Sequence, residues 1–192
     1  VYWVSGYVGY ALSRYGGARG REGWLAEAGS RILKGQGEDG GWGYGPGVPA
    51  DADSTSWCLR FLSSLGMHSP EGRERAACFL LRHQNQSDGG FRTYSSPRDV
   101  GRYMHLDGNI SFEGWLSSQL CVTAVAVEAL AESGSSDRIG EALDLIRGSQ
   151  TADGYWNSYW WSNELYATLH CMKALRSGGI EEGARALGKA QG

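Results

Sequence analysis

Residues 32–45 read ILKGQGEDGGWGYG, and the stretch returns twice. Residues 80–94 read LLRHQNQSDGGFRTY, and residues 145–159 read LIRGSQTADGYWNSY. The shared core is Gln, two residues, Asp-Gly, one residue, then Trp or Phe. It is Gln36-Asp39-Gly40-Trp42 in the first copy and Gln150-Asp153-Gly154-Trp156 in the third. In the second copy, Asp88-Gly89-Phe91, Gln84 stands one residue too far upstream and Asn85 takes the matching position. Self-similarity of this kind marks a repeat architecture, in which each unit buries its apolar face against its neighbours.

Each copy follows an apolar pattern of helical period. Trp24, Leu25, Ala28, Ile32 and Leu33 share one face, as do Ala76, Phe79 and Leu80, and then Ile139, Leu143 and Ile146. Ser69-Pro70 supplies an N-cap and a first helical residue for the second of these. The Asp-Gly pair then stops the helix and turns the chain. A second, more apolar helix comes after each turn. Four such segments align on a terminal leucine: SGYVGYAL (5–12), TSWCLRFL (55–62), TAVAVEAL (123–130) and TLHCMKAL (168–175). The sequence thus predicts four helix pairs, with apolar helices forming an inner ring and amphipathic ones an outer layer. Residues 187–192, LGKAQG, repeat the lead-in to the first motif, so a fourth turn is expected beyond Gln191-Gly192 and the 192 residues are read as one domain belonging to a longer repeat protein.

Composition excludes several classes. The net charge is −3 and basic residues are scattered, which argues against nucleic acid as a partner. Uninterrupted apolar runs fall far short of the ~20 residues that cross a bilayer, and VYWVSGYVGY lacks the basic segment of a secretion signal. The four cysteines lie among apolar helical neighbours with no CxxC pair, as expected of buried, reduced thiols and a cytoplasmic setting, with membrane association left open.

The Gln-x-x-Asp-Gly-x-Trp turns resemble the QW motifs of the terpene cyclase and prenyltransferase superfamily, most closely its class II, squalene-hopene cyclase-like members. That resemblance implies an all-α, (α/α) toroid or barrel of helix-pair repeats, incomplete in this chain, with the QW turns bracing helix ends rather than reacting. Additional repeats, another domain or a partner chain would complete it. Class II members carry an Asp-x-Asp-Asp motif whose middle residue protonates an alkene or epoxide. The matching stretch is Asp51-Ala52-Asp53-Ser54-Thr55, with Ser54 in place of the third acid. The resemblance therefore implies Asp53 as general acid assisted by Asp51, a small hydrophobic isoprenoid as substrate, and no cofactor or metal unless a diphosphate brings magnesium.

The residues themselves support part of this. Protonating an unactivated double bond needs a neutral acid in a dry site, and a second carboxylate nearby makes joint ionisation costly. At the position of Asp53 the other repeats carry Trp3, Cys121 and Tyr166; at that of Asp51 they carry Val1, Gln119 and Glu164. Only the second repeat has both acids, although Asp is also an ordinary helix cap. A carbocation would be shielded by aromatic faces, for which Trp57, Trp160, Trp161, Trp3 and Tyr166 are the candidates. The second spacing between inner helices is 68 residues against 50 and 45, and the excess falls in residues 93–115. This insertion could cover the site and hold a diphosphate through Arg98 and Arg102. Two other readings stand beside the cyclase: a non-catalytic binding or scaffold toroid, and a related enzyme acting on a non-terpene natural product.

Overall fold

A computed structural model describes residues 1–14, 20, 22–104 and 111–179. Residues 105–110 of the 93–115 insertion and the expected fourth turn at Gln191-Gly192 lie outside them. The inner helices are α1 (Tyr2–Arg14), α3 (Ala52–Ser64), α7 (Leu120–Glu132) and α9 (Leu165–Ser177). Each has 13 residues and each starts three residues before the apolar segment that announced it. In α1 and α3 the first turn carries residues that border a cavity, Trp3 and Asp53. The outer helices α2 (Glu22–Lys34), α4 (Pro70–Arg82) and α8 (Gly140–Gly148) pack outside. Helix α1 lies on α3, α3 on α7 and α7 on α9, which makes an arc of four inner helices. The insertion supplies two short helices, α5 (Pro97–Met104) and α6 (Glu113–Leu116).

Ten consecutive-face residues of α3 and ten of α7 are buried, because these two helices have neighbours on all sides. The stretch Glu113–Glu132 has a mean hydropathy of 1.3, apolar enough for a membrane span by composition. It is broken at Ser117, whose backbone is extended, and α7 is enclosed by the other helices. Amphipathic α2 buries Leu25, Gly29 and Ile32. Trp24, expected on that face, is 74% exposed, and Leu33 is exposed as well. A buried stripe at i, i+4 and i+7 leaves both of them turned outward.

The repeated turn works as the motif implies. Trp42 Nε1 donates to the Ile32 carbonyl at 2.7 Å and Trp156 Nε1 to that of Ile146 at 2.6 Å, ten residues back in both cases. Gln36 and Gln150 donate to the carbonyls of Gly40 and Gly154, each at 2.9 Å. Gln84 makes the same bond to Gly89 at 3.0 Å, so one extra residue in its turn preserves the function of the displaced glutamine. The motif glycine has positive φ in all three copies, 92° at Gly40, 75° at Gly89 and 89° at Gly154. A Cβ at Gly40 would also strike the Arg75 carbonyl of α4, so only glycine lets this turn seat on the next outer helix.

The aligned threonines of the inner helices complete the lock. The backbone N–H of Trp42, Phe91 and Trp156 is received by Oγ1 of Thr55, Thr123 and Thr168 at 2.9, 2.8 and 3.1 Å. Thr55→Val keeps the shape but strands a buried Trp42 N–H. Its expected cost is about 1–3 kcal/mol, read as a lower urea midpoint with an unchanged m-value.

Candidate active site

The first turn leads into a minimal antiparallel pair, β1 (Trp42–Gly43) with β2 (Ala50–Asp51), in which Trp42 faces Asp51. This pairing delivers Asp51 to the start of α3. Asp51 is the N-cap: its backbone is extended, and its Oδ1 accepts the Ser54 N–H at 2.7 Å. Asp53 is not ahead of the helix, as the sequence suggested, but is its second residue. Asp51, rather than Asp53, is therefore the residue that caps α3. The Thr93 carbonyl takes the Ala52 N–H at 3.0 Å, so the next repeat's turn satisfies a further N–H of the α3 N-terminus.

Asp53 borders a cavity of about 410 Å³ at the N-terminal end of the inner helices. Its Oδ2 accepts Trp3 Nε1 at 2.6 Å. Its Oδ1 is shielded from solvent and has no partner among the described residues. Burial raises both carboxyl pKa values to about 7; for Asp53 the Asp51 charge adds to the rise and the Trp3 bond opposes it. Asp51 has the backbone N–H bond that favours a carboxylate. The two carboxyls therefore titrate as a coupled pair, in which ionisation of one opposes ionisation of the other. Asp51→Asn should preserve the cap within a few tenths of a kcal/mol, whereas Asp51→Ala should cost about 1 kcal/mol in a denaturation series at pH 6.

Trp3, Trp160 and Trp161 line the cavity, as expected. Thr93 Oγ1 accepts Trp160 Nε1 at 2.9 Å and itself donates to Gln119 at 2.6 Å, which fixes the indole. Trp57 and Tyr166 are absent from the wall. They lie beneath it: Trp57 is buried, donates to the Tyr166 hydroxyl at 2.9 Å and meets Tyr7 edge to face. The stacked pair Trp161–Tyr166, centroids 4.7 Å apart, joins the two layers. The insertion does cover the cavity, through Val100, Tyr103 and Met104 of α5 and Trp115 of α6. Arg98 is exposed and does not reach the wall; the Arg102 side chain lies outside the described residues. Among the described residues no cluster of metal-ligating side chains occurs, and no Lys or Arg lines the cavity.

Sequence reasoning missed Tyr44, Val48 and Pro49, which wall the cavity from the β1–β2 loop. It also missed a charged cluster deeper in the arc. Arg60 Nη2 pairs with Glu128 at 2.6 Å and Glu132 at 3.0 Å, and His170 Nδ1 meets Glu128 at 2.6 Å. Tyr10 bonds both Arg60 and Glu132, so all four inner helices take part. The signal was present: in the aligned segments TSWCLRFL and TAVAVEAL, Arg60 and Glu128 occupy the same place.

No protein-family model matches the sequence. Among curated proteins, drimenyl diphosphate synthase from Streptantibioticus cattleyicolor is 27% identical over 146 residues, covering 75% of this chain and 24% of its own length. Among solved structures, the ligand-free type II terpene cyclase MstE from Scytonema has a TM-score of 0.80 at 30% identity, covering 98% of this chain and 53% of that one. A variant of MstE holding geranylgeranyl dihydroxybenzoate as substrate has a TM-score of 0.83 at 29% identity, covering 98% and 52%. A crystal structure of a protein from Actinoplanes gives 0.83 at 28%, covering 98% and 55%. The chain spans about half the length of these structural neighbours and about a quarter of the curated relative. With its three braced turns and its arc of helix pairs, the chain shares the all-α fold of its structural neighbours, among them type II terpene cyclases.

Proposed function

We propose that this chain carries the acid half of a class II terpene cyclase, which starts ring closure by protonating the terminal double bond of a linear isoprenoid. The observation that carries the reading is Asp53 at the edge of an aromatic cavity, a carboxyl whose pKa is raised to about 7 by burial and by Asp51. The Asp53 proton goes to the alkene carbon, and the tertiary cation that forms is attacked by the next double bond of the chain. Loss of a proton, or capture of water, ends the sequence. Helix α3 begins at this point, so its N-terminal dipole favours the carboxylate left on Asp53. The indoles of Trp160 and Trp161 offer faces to the cation, each worth about 1–2 kcal/mol when desolvated.

The substrate's polar head is a separate matter. MstE is described with a geranylgeranyl dihydroxybenzoate, and the curated relative is a diphosphate synthase. The cavity at Asp53 suits the apolar tail of either compound. Among the described wall residues there is no Lys or Arg to meet a group carrying a formal negative charge.

The test is product analysis. The full-length protein and its Asp53→Asn variant are incubated with farnesyl diphosphate, geranylgeranyl diphosphate and a geranylgeranylated dihydroxybenzoate. Cyclic product from the wild type, lost in Asp53→Asn, supports the reading and names the substrate. Absence of turnover by a folded wild type on all three overturns it in favour of a binding module or a non-terpene substrate.

A further inference from the structure

We propose that Trp3 acts as a positioning residue for Asp53, its indole N–H fixing Oδ2 as the acceptor oxygen and so placing the carboxyl proton on Oδ1. This assignment builds on the reading of Asp53 as the acid. It moves Trp3 from the set of aromatic walls to a role exercised through its edge.

The geometry has three parts. First, Trp3 Nε1 lies 2.6 Å from Oδ2, while Oδ1 is partnerless among the described residues. The carbonyl oxygen of a neutral acid accepts a hydrogen bond better than its hydroxyl oxygen does, so this contact selects the tautomer with the proton on Oδ1. Second, the indole is held in place. Trp3 stacks on Tyr7 at 5.3 Å and packs against Trp161 at 5.8 Å. Its own backbone N–H reaches the Tyr44 carbonyl in the first turn. Third, Trp3 is the second residue of α1 and Asp53 the second residue of α3. Repeat-equivalent positions therefore meet, and the repeat geometry itself sets the contact.

The residue type fits the task. An indole N–H donates but cannot accept, so it never competes for the proton. It carries no charge, so unlike Lys or Arg it does not force the acid to ionise as an ion pair. It nevertheless stabilises the carboxylate formed by proton transfer, which makes Asp53 a stronger acid while leaving it neutral beforehand. The other titratable groups around Asp53 are Asp51, Tyr166 on α9 and Cys121 on α7. Burial raises the pKa of the phenol and of the thiol, and both stay neutral across the working range.

Two readouts test the assignment. The first needs no substrate: indole N–H resonances are followed by NMR from pH 5 to 9 and assigned with Trp3→Phe. The Trp3 resonance is expected to shift with a single titration that disappears in Asp53→Asn. A Trp3 resonance that does not respond to pH overturns the assignment, whether or not the protein turns over any isoprenoid. The second is kinetic. Trp3→Phe keeps an aromatic ring and removes the donor, so kcat is expected to fall about 10–100-fold with little change in KM. Activity requires protonated Asp53 and declines as pH rises through its pKa. Losing a bond that favours the carboxylate raises that pKa, so the declining limb moves to higher pH. A rise in KM with kcat and the pH profile unchanged would make Trp3 a wall residue and overturn the proposal. Failure of the wild type to cyclise, with the Trp3 resonance still titrating, would overturn the cyclase reading and leave the positioning contact standing.

Discussion

Asp53→Asn is expected to abolish cyclisation and, at pH 8, to make the protein more stable than the wild type. The loss of activity follows from the chemistry: an amide has no proton acid enough for an alkene, and a positioned general acid contributes about 10²–10⁴-fold. The gain in stability follows from linkage. The folded-state pKa of Asp53 is raised to about 7 by burial and by the Asp51 carboxylate, whereas an unfolded chain ionises near 3.9. The folded protein therefore holds the proton more tightly. Its stability from this group is fully present below the unfolded value and is lost as pH rises through the folded one. At pH 8 the wild type bears a shielded charge beside a like charge, and asparagine removes both penalties. A gain on the order of 1–2 kcal/mol, or about 2–8 °C in Tm for a chain of this size, is expected. At pH 5, about one unit above the unfolded value, the variant's advantage should be smaller. Thermal scans at both pH values, run beside the product assay, check this. A variant less stable than the wild type at pH 8 would mean that Asp53 is a structural cap, not a strained acid.

Much of this architecture could be read from residues alone because the repeat writes the same instruction several times. Three copies of one turn, and four apolar segments ending in leucine, leave few arrangements other than paired helices in an arc. Single-copy features were less legible. Asp53 looked like a residue ahead of a helix because the first turn of α3 carries Asp53 and Ser54 toward a cavity and breaks the apolar rhythm. Trp57 and Tyr166 looked like cavity residues because they share the aromatic character of the wall. Which of two aromatic layers a ring joins depends on packing across helices, and no local pattern encodes it. Arg98 shows the converse limit: a polar insertion suggested an anion site, yet the insertion contributes Val100, Tyr103 and Met104 to the cavity and turns Arg98 to solvent. An eight-residue amphipathic helix explains that outcome, since α5 can bury only one of its faces.

The deeper charged cluster carries the largest expected effect on stability. Arg60 is 2% exposed and bonds Glu128, Glu132 and Tyr10, and its guanidinium lies 4.2 Å from the Tyr10 ring and 4.8 Å from that of Trp57. Arg60→Ala would leave Glu128 as a buried carboxylate whose remaining partner, His170, is kept neutral by its own burial. Breaking one side of a buried pair costs about 3–5 kcal/mol, a large share of the ~5–15 kcal/mol that holds a domain together. The expected fall in Tm is about 6–20 °C. The deficit should shrink as pH is lowered toward 5, because protonation removes the charge of a buried carboxylate that has lost its cationic partner. The double variant Arg60→Met/Glu128→Gln separates charge from packing. Glutamine still accepts from His170 Nδ1, methionine refills part of the arginine's volume, and the half-exposed Glu132 can turn to water. Recovery of more than half of the lost stability is expected, since two matched burials are removed together. A double variant as unstable as Arg60→Ala would mean that the arginine acts by filling space between α1, α3 and α7, and that its charge contributes little.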